Sequence, residues 1–176
     1  MPRKQPLKSS KELYTGHGWR LALESAALPD GRVDTAARAH RCDVVGILAF
    51  PEDSKILLIR EYRPHYGHYL WMLPGGKVDK ESDIVRAAQR ELQEETGFRS
   101  DDLRYYCSSN NWEIVSSTNH FFVARSLVED RLPQDATELI EVHAMPLEEA
   151  IERVLSCEHT HTPSAYALLR YKRDHT

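Results

Sequence analysis

The chain has 176 residues and carries 27 acidic against 23 basic side chains, a formal charge of −4. That length suits one domain with a real core. The acidic balance gives no electrostatic footprint for nucleic acid, and no apolar run is long enough to span a membrane. Cys42, Cys107 and Cys157 show no metal-ligand spacing and read as free thiols of a reducing cytoplasm. Met1 to Pro6 carry charge with no apolar segment behind them, so they read as a loose arm and not as a signal peptide. Leu13 to Arg41 is strand-like. Trp19 to Ala27 alternates in part, Leu28-Pro29-Asp30-Gly31 is a turn signal, and Arg32 to Arg41 returns as the second arm of a β-hairpin. Val44 to Phe50 is a continuous apolar run, as a buried strand is. Pro51 to Ser54 turns the chain into Lys55 to Glu61, read as the partner strand. His65, Tyr66, His68 and Tyr69 crowd the next loop. A histidine pair three apart could ligate a metal, but nothing supplies further ligands, so aromatic packing or stacking on a base is preferred.

Gly75 to Phe98 organises the rest of the chain. Gly75 and Gly76 permit a sharp turn that exposes backbone carbonyls. A helix follows, with Ser82 or Asp83 as its cap and Gly97 as its stop. Ile84, Ala88 and Leu92, with Val85 and Ala87 beside them, form its narrow apolar stripe. Glu91, Glu94 and Glu95 stand three and four apart, so helical spacing puts three carboxylates on adjacent positions of one surface. Their mutual repulsion falls if a hard divalent cation sits among them, and carboxylate and carbonyl oxygens suit Mg²⁺ or Mn²⁺. By spacing alone the cluster equally fits a solvated acidic face on which Arg86, Arg90 and Glu94 pair.

After this helix, Leu103 to Cys107 and Trp112 to Ser116 read as short strands and Asn119 to Ala124 as a buried one. Leu127 to Thr137 is polar and reads as a mobile loop. Glu138 to Val142 alternates as the last strand, and Pro146 opens a helix over Leu147 to Leu155 with Glu148 and Glu149 in its first turn. His159-Thr160-His161 lacks finger or helical spacing and reads as an exposed linker. Thr162-Pro163 opens the final helix, ending near Lys172, with its Tyr166, Leu169 and Arg170 side placed against the sheet.

Arg90-Glu91-Leu92-Gln93-Glu94-Glu95-Thr96-Gly97-Phe98, behind Gly76, resembles the Nudix box: Gly, five residues, Glu, seven residues, then Arg-Glu-apolar-any-Glu-Glu-any-Gly-apolar. One defining position departs. The first Glu of the pattern falls on Ser82, with Glu81 one residue early. In the family that Glu steadies the loop and can reach a metal, so its absence bears on a second or third metal site. The resemblance implies an α/β fold, the Nudix α/β/α sandwich with a mixed β-sheet, here with an N-terminal β-hairpin extension. It divides the chain into residues 1–42, arm and hairpin, and 43–176, the Nudix hydrolase domain. It also implies hydrolysis of a nucleoside diphosphate linked to another group. Glu91, Glu95, Glu94 and the Gly75 carbonyl would hold Mg²⁺ or Mn²⁺; Glu94 or Glu138 (Asp135 behind it) would accept the proton of water; Arg90 would aim the helix and Lys77 reach a phosphate.

Arg60-Glu61-Tyr62-Arg63-Pro64 is similar to the Arg-Gln-Tyr-Arg segment of the ADP-sugar pyrophosphatase branch. Arg63 thereby becomes a bidentate phosphate ligand and Arg60 a second substrate contact, against the plain reading of surface arginines at a strand end. Nucleoside-diphosphate-sugar hydrolases of this branch carry a comparable N-terminal sheet and form intertwined dimers, which implies a homodimer; a simple sheet extension is the alternative. Members specific for ADP-ribose carry a proline beyond the box, whereas this chain has none from Phe98 to Leu132 and places Trp112, Glu113 and Ile114 there. Trp112 is either a nucleobase platform or a packed tryptophan. The readings implied are an ADP-ribose or nucleotide-sugar pyrophosphatase; a Nudix enzyme for a dinucleoside polyphosphate, an oxidised nucleotide or a capped RNA; and a catalytically weak nucleotide-binding module.

Overall fold

The computed structural model describes residues 7–80, 83–110 and 114–175. In chain order the elements are β1 (Leu7–Gly16), β2 (Trp19–Ala27), β3 (Val33–Arg41), β4 (Val44–Ala49), β5 (Ile56–Arg63), β6 (His68–Met72), α1 (Ile84–Thr96), β7 (Phe98–Asn110), β8 (Val115–Ser116), β9 (Thr118–Glu129), β10 (Ile140–Met145), α2 (Leu147–Leu155) and α3 (Thr162–His175). They divide into two compact units, Met1–Asp43 with Asn110–Thr118, and Val44–Ser109 with Asn119–Thr176. Among the described residues, Asn110 and residues 114–118 group with the first of these units.

The first unit is a sheet in the order β1-β2-β3-β8. The expected hairpin is β2 and β3, paired from Trp19–Arg41 to Ala27–Val33. Its turn closes where the sequence placed it: Leu28 N donates to Arg32 O (2.8 Å), Gly31 N donates to Leu28 O (2.9 Å), and Gly31 sits at φ 88°. A further strand precedes it. Leu7–Gly16 joins β2 through the two residues His17 and Gly18, at φ 52° and 76°, the positive-φ pair that a tight hairpin requires.

The second unit is the α/β/α sandwich, with parallel and antiparallel pairing both present. β4 runs parallel to β9, and β9 neighbours β7. β5 does not partner β4, contrary to the sequence reading. It lies between β10 and β6, antiparallel to both. A continuous apolar run shows that a strand is buried but not beside which neighbour. Strand alternation then sorts the core onto two faces. Val45, Ile47, Ala49 and Leu57 meet Ala87, Ala88 and Leu92 of α1. Leu48, Phe50, Ile56 and Leu58 meet Ala150, Ile151 and Val154 of α2 and Ala165, Ala167, Leu168 and Tyr171 of α3.

α1 begins at Asp83, whose Oδ1 accepts from Val85 N (2.8 Å), and ends at Gly97 in the left-handed conformation, φ 82°. α2 matches its expected range, with Pro146 before it and Glu148 and Glu149 in the first turn. Several boundaries differ: the last strand is Ile140–Met145 and not Glu138 to Val142, and β5 extends to Arg63. β7 is longer than Leu103–Cys107 at both ends. Leu127 to Glu129 continue β9 and are not loop. α3 runs past Lys172 to His175. α3 also packs by the opposite side from that expected. Ser164, Ala165, Ala167, Leu168 and Tyr171 are buried, while Tyr166 and Leu169 are 38% and 45% exposed. Ser164, Ala165 and Ala167 let the helix approach closely, with Leu168 and Tyr171 inserted among them. Ser82 and Trp112, with Glu81 and Glu113, lie outside the described residues.

This packing fixes a comparison. Leu168→Ala should cost about 2–5 kcal/mol, the range for a buried leucine, whereas Leu169→Ala should change stability by about 0.5 kcal/mol or less. Urea denaturation of both variants checks the assignment; equal costs would reverse it.

Candidate active site

The turn Pro74-Gly75-Gly76 is stitched to β4. Val45 N donates to Gly76 O (2.9 Å) and Ile47 N to Pro74 O (2.8 Å). A Cβ on Gly75 would overlap the Val45 carbonyl, and one on Gly76 would overlap the Glu91 carboxylate. Glycine is therefore required at position 75 by close approach to backbone, whereas a side chain at 76 would displace the Glu91 carboxylate. Below this turn, α1 presents Glu91 and Glu95 one helical turn apart, only 9% and 5% exposed. Gly75 N donates to Glu95 Oε2 (2.6 Å).

Arg90 ties the helix to the loop. Its Nη1 lies 2.9 Å from Glu91 Oε1 and 2.6 Å from Glu94 Oε2, and its Nη2 donates to the Lys77 carbonyl (3.3 Å). Lys80 Nζ is 3.6 Å from Glu94 Oε1. The Lys77 side chain is exposed. Glu138, just ahead of β10, is half-buried, and its charge is felt by Glu61, Glu91 and Glu95. Asp135 closes its own turn instead, accepting from Thr137 N (2.9 Å) and Thr137 Oγ1 (2.7 Å).

The two arginines of β5 part company, because successive side chains of a strand point to opposite faces. Arg63 pairs through Nη2 with Glu61 Oε2 at 2.7 Å and reaches Met72 Sδ at 3.4 Å. Arg60 is held on the other face by Glu141 (3.0 Å) and lies over the Tyr69 ring at 4.1 Å. The structure therefore brings Arg63 to the carboxylates but not Arg60. It adds Glu61, 5% exposed, which the sequence reading did not single out. The signal was an acid inside an apolar strand, in phase with Leu57 and Ile59.

Burial dominates these acids. It pushes Glu91 up to about 7 against the opposing pull of Arg90. Glu95 rises well above the ordinary carboxylate value, even though the Gly75 N–H stabilises its anion. Glu61 and Glu138 are raised too, again chiefly by burial. Among the described residues no three carboxylate, imidazole or thiolate groups are gathered tightly enough to hold an ion as they stand. Arg90 engages Glu91, and the Gly75 N–H engages Glu95. The donor chemistry nevertheless fits a hard divalent cation: buried carboxylates with too little cationic charge among them, under a glycine cradle that a Cβ would fill.

Tyr66 and His68 pack tilted against His159, with ring centroids 4.8 Å and 5.0 Å from it, which is the aromatic packing expected there. His161 is not part of an exposed linker. It is half-buried, its Nδ1 is 2.7 Å from Ser164 Oγ, and burial together with the Arg63 charge lowers its pKa to about 4. It is neutral at physiological pH.

A stability profile follows from the raised acids. Each is protonated in the fold at a pH where it is ionised in the unfolded chain. Its contribution is therefore complete below the ordinary value of 4.5 and is lost as pH rises through the folded value, about 7 for Glu91. Thermal melts in chelator should show Tm falling from pH 5 to 8, and Glu91→Gln should flatten that fall. A Tm that rises over this interval would contradict the assignment.

Residues 40–168 match the NUDIX domain model. The chain is 27% identical over 166 residues to an ADP-ribose pyrophosphatase of Bacillus subtilis, covering 91% of this chain and 88% of that one. It is 25% identical over 155 residues to a methanol dehydrogenase activator of Bacillus methanolicus, covering 82% and 80%. Its fold is similar to a crystal structure of an ADP compounds hydrolase, with a TM-score of 0.78 at 23% identity, covering 98% of this chain and 95% of that one. With the box helix, the glycine turn and the sandwich around them, these matches establish that the chain belongs to the Nudix family and is a Nudix pyrophosphohydrolase.

Proposed function

We propose that the chain hydrolyses the pyrophosphate bond of ADP-ribose or a related nucleotide sugar, using Mg²⁺ or Mn²⁺ and releasing a nucleoside monophosphate and a sugar phosphate. The observation that carries this reading is the pair of buried carboxylates, Glu91 and Glu95, beneath the Gly75-Gly76 turn. The similarity to an ADP-ribose pyrophosphatase over nine-tenths of the chain supports the substrate class.

Glu91 and Glu95 would hold the ion, with Glu94 beside them. The Pro74 and Gly76 carbonyls accept bonds from β4, while the Gly75 N–H faces Glu95. The Gly75 carbonyl would be a further oxygen donor to the same ion. When bound, a divalent cation neutralises phosphate charge and acidifies water. Arg90 keeps Glu91 and Glu94 from swinging out and anchors the loop through the Lys77 carbonyl. Arg63 and Lys77 supply cationic donors to the phosphates. Glu138 is the better proton acceptor of the two candidates. Glu94 is clamped between Arg90 and Lys80, whereas the Glu138 carboxylate makes no hydrogen bond to a described residue and titrates above the ordinary range. Arg60, fixed by Glu141 and Tyr69, braces the strand.

The N-terminal sheet is proposed as an accessory element through which two copies of the chain associate. Tyr14, Trp19, Leu21 and Leu23 are exposed on it, with Tyr14 opposite Leu21 across β1 and β2. The free cysteines support a reducing, cytoplasmic setting. Among the described residues, no helix is long and apolar enough to cross a membrane.

Nucleotide release from ADP-ribose, other nucleotide sugars and dinucleoside polyphosphates, followed chromatographically with Mg²⁺ or Mn²⁺, tests the substrate reading. ADP-ribose or a nucleotide sugar should lead the panel, and Glu95→Gln should lower its turnover about 10²- to 10³-fold, the scale of losing one preorganised charge. Preference for a dinucleoside polyphosphate would favour the reading suggested by the missing proline. Light scattering tests association: the native chain should be a dimer and Leu21→Glu a folded monomer.

A further inference from the structure

We propose that Glu61 is a positioning residue for Arg63: it holds the guanidinium in one orientation beside the carboxylate site, so that a preformed fork meets a substrate phosphate. This rests on reading the box as a pyrophosphate-cleaving site.

Glu61 lies within the central strand of its sheet, opposite Leu70 of β6 and Ile140 of β10, and is 5% exposed. Such a carboxylate is expensive to bury unless a cation compensates it. Arg63, two residues on and on the same face, provides that charge through Nη2 at 2.7 Å. The pair is asymmetric. Glu61 is buried, whereas the Arg63 side chain remains 43% exposed. The ion pair with Glu61 and the hydrogen bond to Met72 Sδ both use the same guanidinium nitrogen. Guanidinium carries five N–H donors in a rigid plane. The two contacts at Nη2 restrict how the guanidinium plane can turn, and neither Nη1 nor Nε makes a hydrogen bond to another described residue. An arginine restrained in this way loses less rotamer freedom on binding an anion than one free in solvent.

Position explains why the restraint matters. Glu61 and Glu138 both raise the pKa of Glu95, so all three share one electrostatic neighbourhood. Arg63 in turn acts on Glu61, Glu138 and His161. Since His161 is neutral there, Arg63 is the cation that this side of the site offers to a phosphate. A freely moving Arg63 could instead fold down among the carboxylates and cancel the charge meant for the ligand.

The test compares wild type, Glu61→Gln, Glu61→Asp, Arg63→Ala and the Glu61→Gln/Arg63→Ala double variant in steady-state cleavage of ADP-ribose with Mg²⁺. Glu61→Gln should raise KM about tenfold with kcat within about threefold, the signature of lost uniform binding. Glu61→Asp should recover much of the KM. Glu61→Gln should add nothing on the Arg63→Ala background. Calorimetric Mn²⁺ affinity should change less in Glu61→Gln than ADP-ribose affinity does, since its role is exerted chiefly on Arg63. Direct ADP-ribose binding, measured in a Glu95→Gln background where turnover is suppressed, should weaken about tenfold when Glu61→Gln is added. Unchanged KM and unchanged binding would overturn the proposal, as would additive losses in the double variant, or a fall in kcat at constant KM. Normal wild-type cleavage with any of these results would sink the role of Glu61 alone. A wild type that neither cleaves nor binds ADP-ribose would overturn both this inference and the substrate reading.

Discussion

Two carboxylates one helical turn apart, pressed beneath a glycine turn that is itself bonded to a core strand, set the terms for everything else in this chain. The turn cannot withdraw, because Val45 and Ile47 hold its carbonyls at 2.9 and 2.8 Å. The helix cannot withdraw either, because Ala87, Ala88 and Leu92 on its inner side are completely buried. Packing therefore forces Glu91 and Glu95 into a place where ionisation is costly. A domain whose net stability is a small difference between large terms tolerates such a cost where it serves a purpose.

The surrounding charges show how the cost is managed. Arg90 serves Glu91 and Glu94 together and bonds the loop, so one side chain couples helix to turn. Arg63 serves Glu61 and leaves most of its donors facing out. These two arginines do not neutralise the acids fully, and Glu61, Glu91, Glu95 and Glu138 all remain harder to ionise than a carboxylate in water. On the proposed reading, a divalent cation and a pyrophosphate would complete this incompletely compensated set of hard oxygen donors between them: the cation would take the carboxylates and the rim arginine the phosphate.

Much of this was legible in the sequence because it is local. The box is a spacing of residues on a single helix and its preceding turn, and the caps at Asp83 and Gly97 follow from backbone chemistry within a few residues. α2 was equally plain, bounded by Pro146 and patterned inside. What escaped is long-range or a matter of size. Which strand lies beside β5 is decided by residues about eighty positions away on β10, and no periodicity encodes that. The inward face of α3 combines Leu168 and Tyr171 with Ser164, Ala165 and Ala167, and these small residues are passed over in a search for large apolar ones. Glu61 looked like part of a polar strand end, and only the pairing of β5 on both sides shows it to be buried. The first turn, at His17 and Gly18, was hidden because the polar residues of β1 do not alternate cleanly, so the strand seemed to start at Leu13.

The central claim is that buried carboxylates on α1 exchange protons for a divalent ion. Calorimetric titration with Mn²⁺ at pH 6 and 8, each in two buffers of different ionisation enthalpy, measures that exchange directly. The account predicts uptake at both values, with more protons released on binding at pH 6 than at pH 8, and binding abolished in the Glu91→Gln/Glu95→Gln variant. Absence of uptake, or uptake that releases no protons and survives the double substitution, would contradict it.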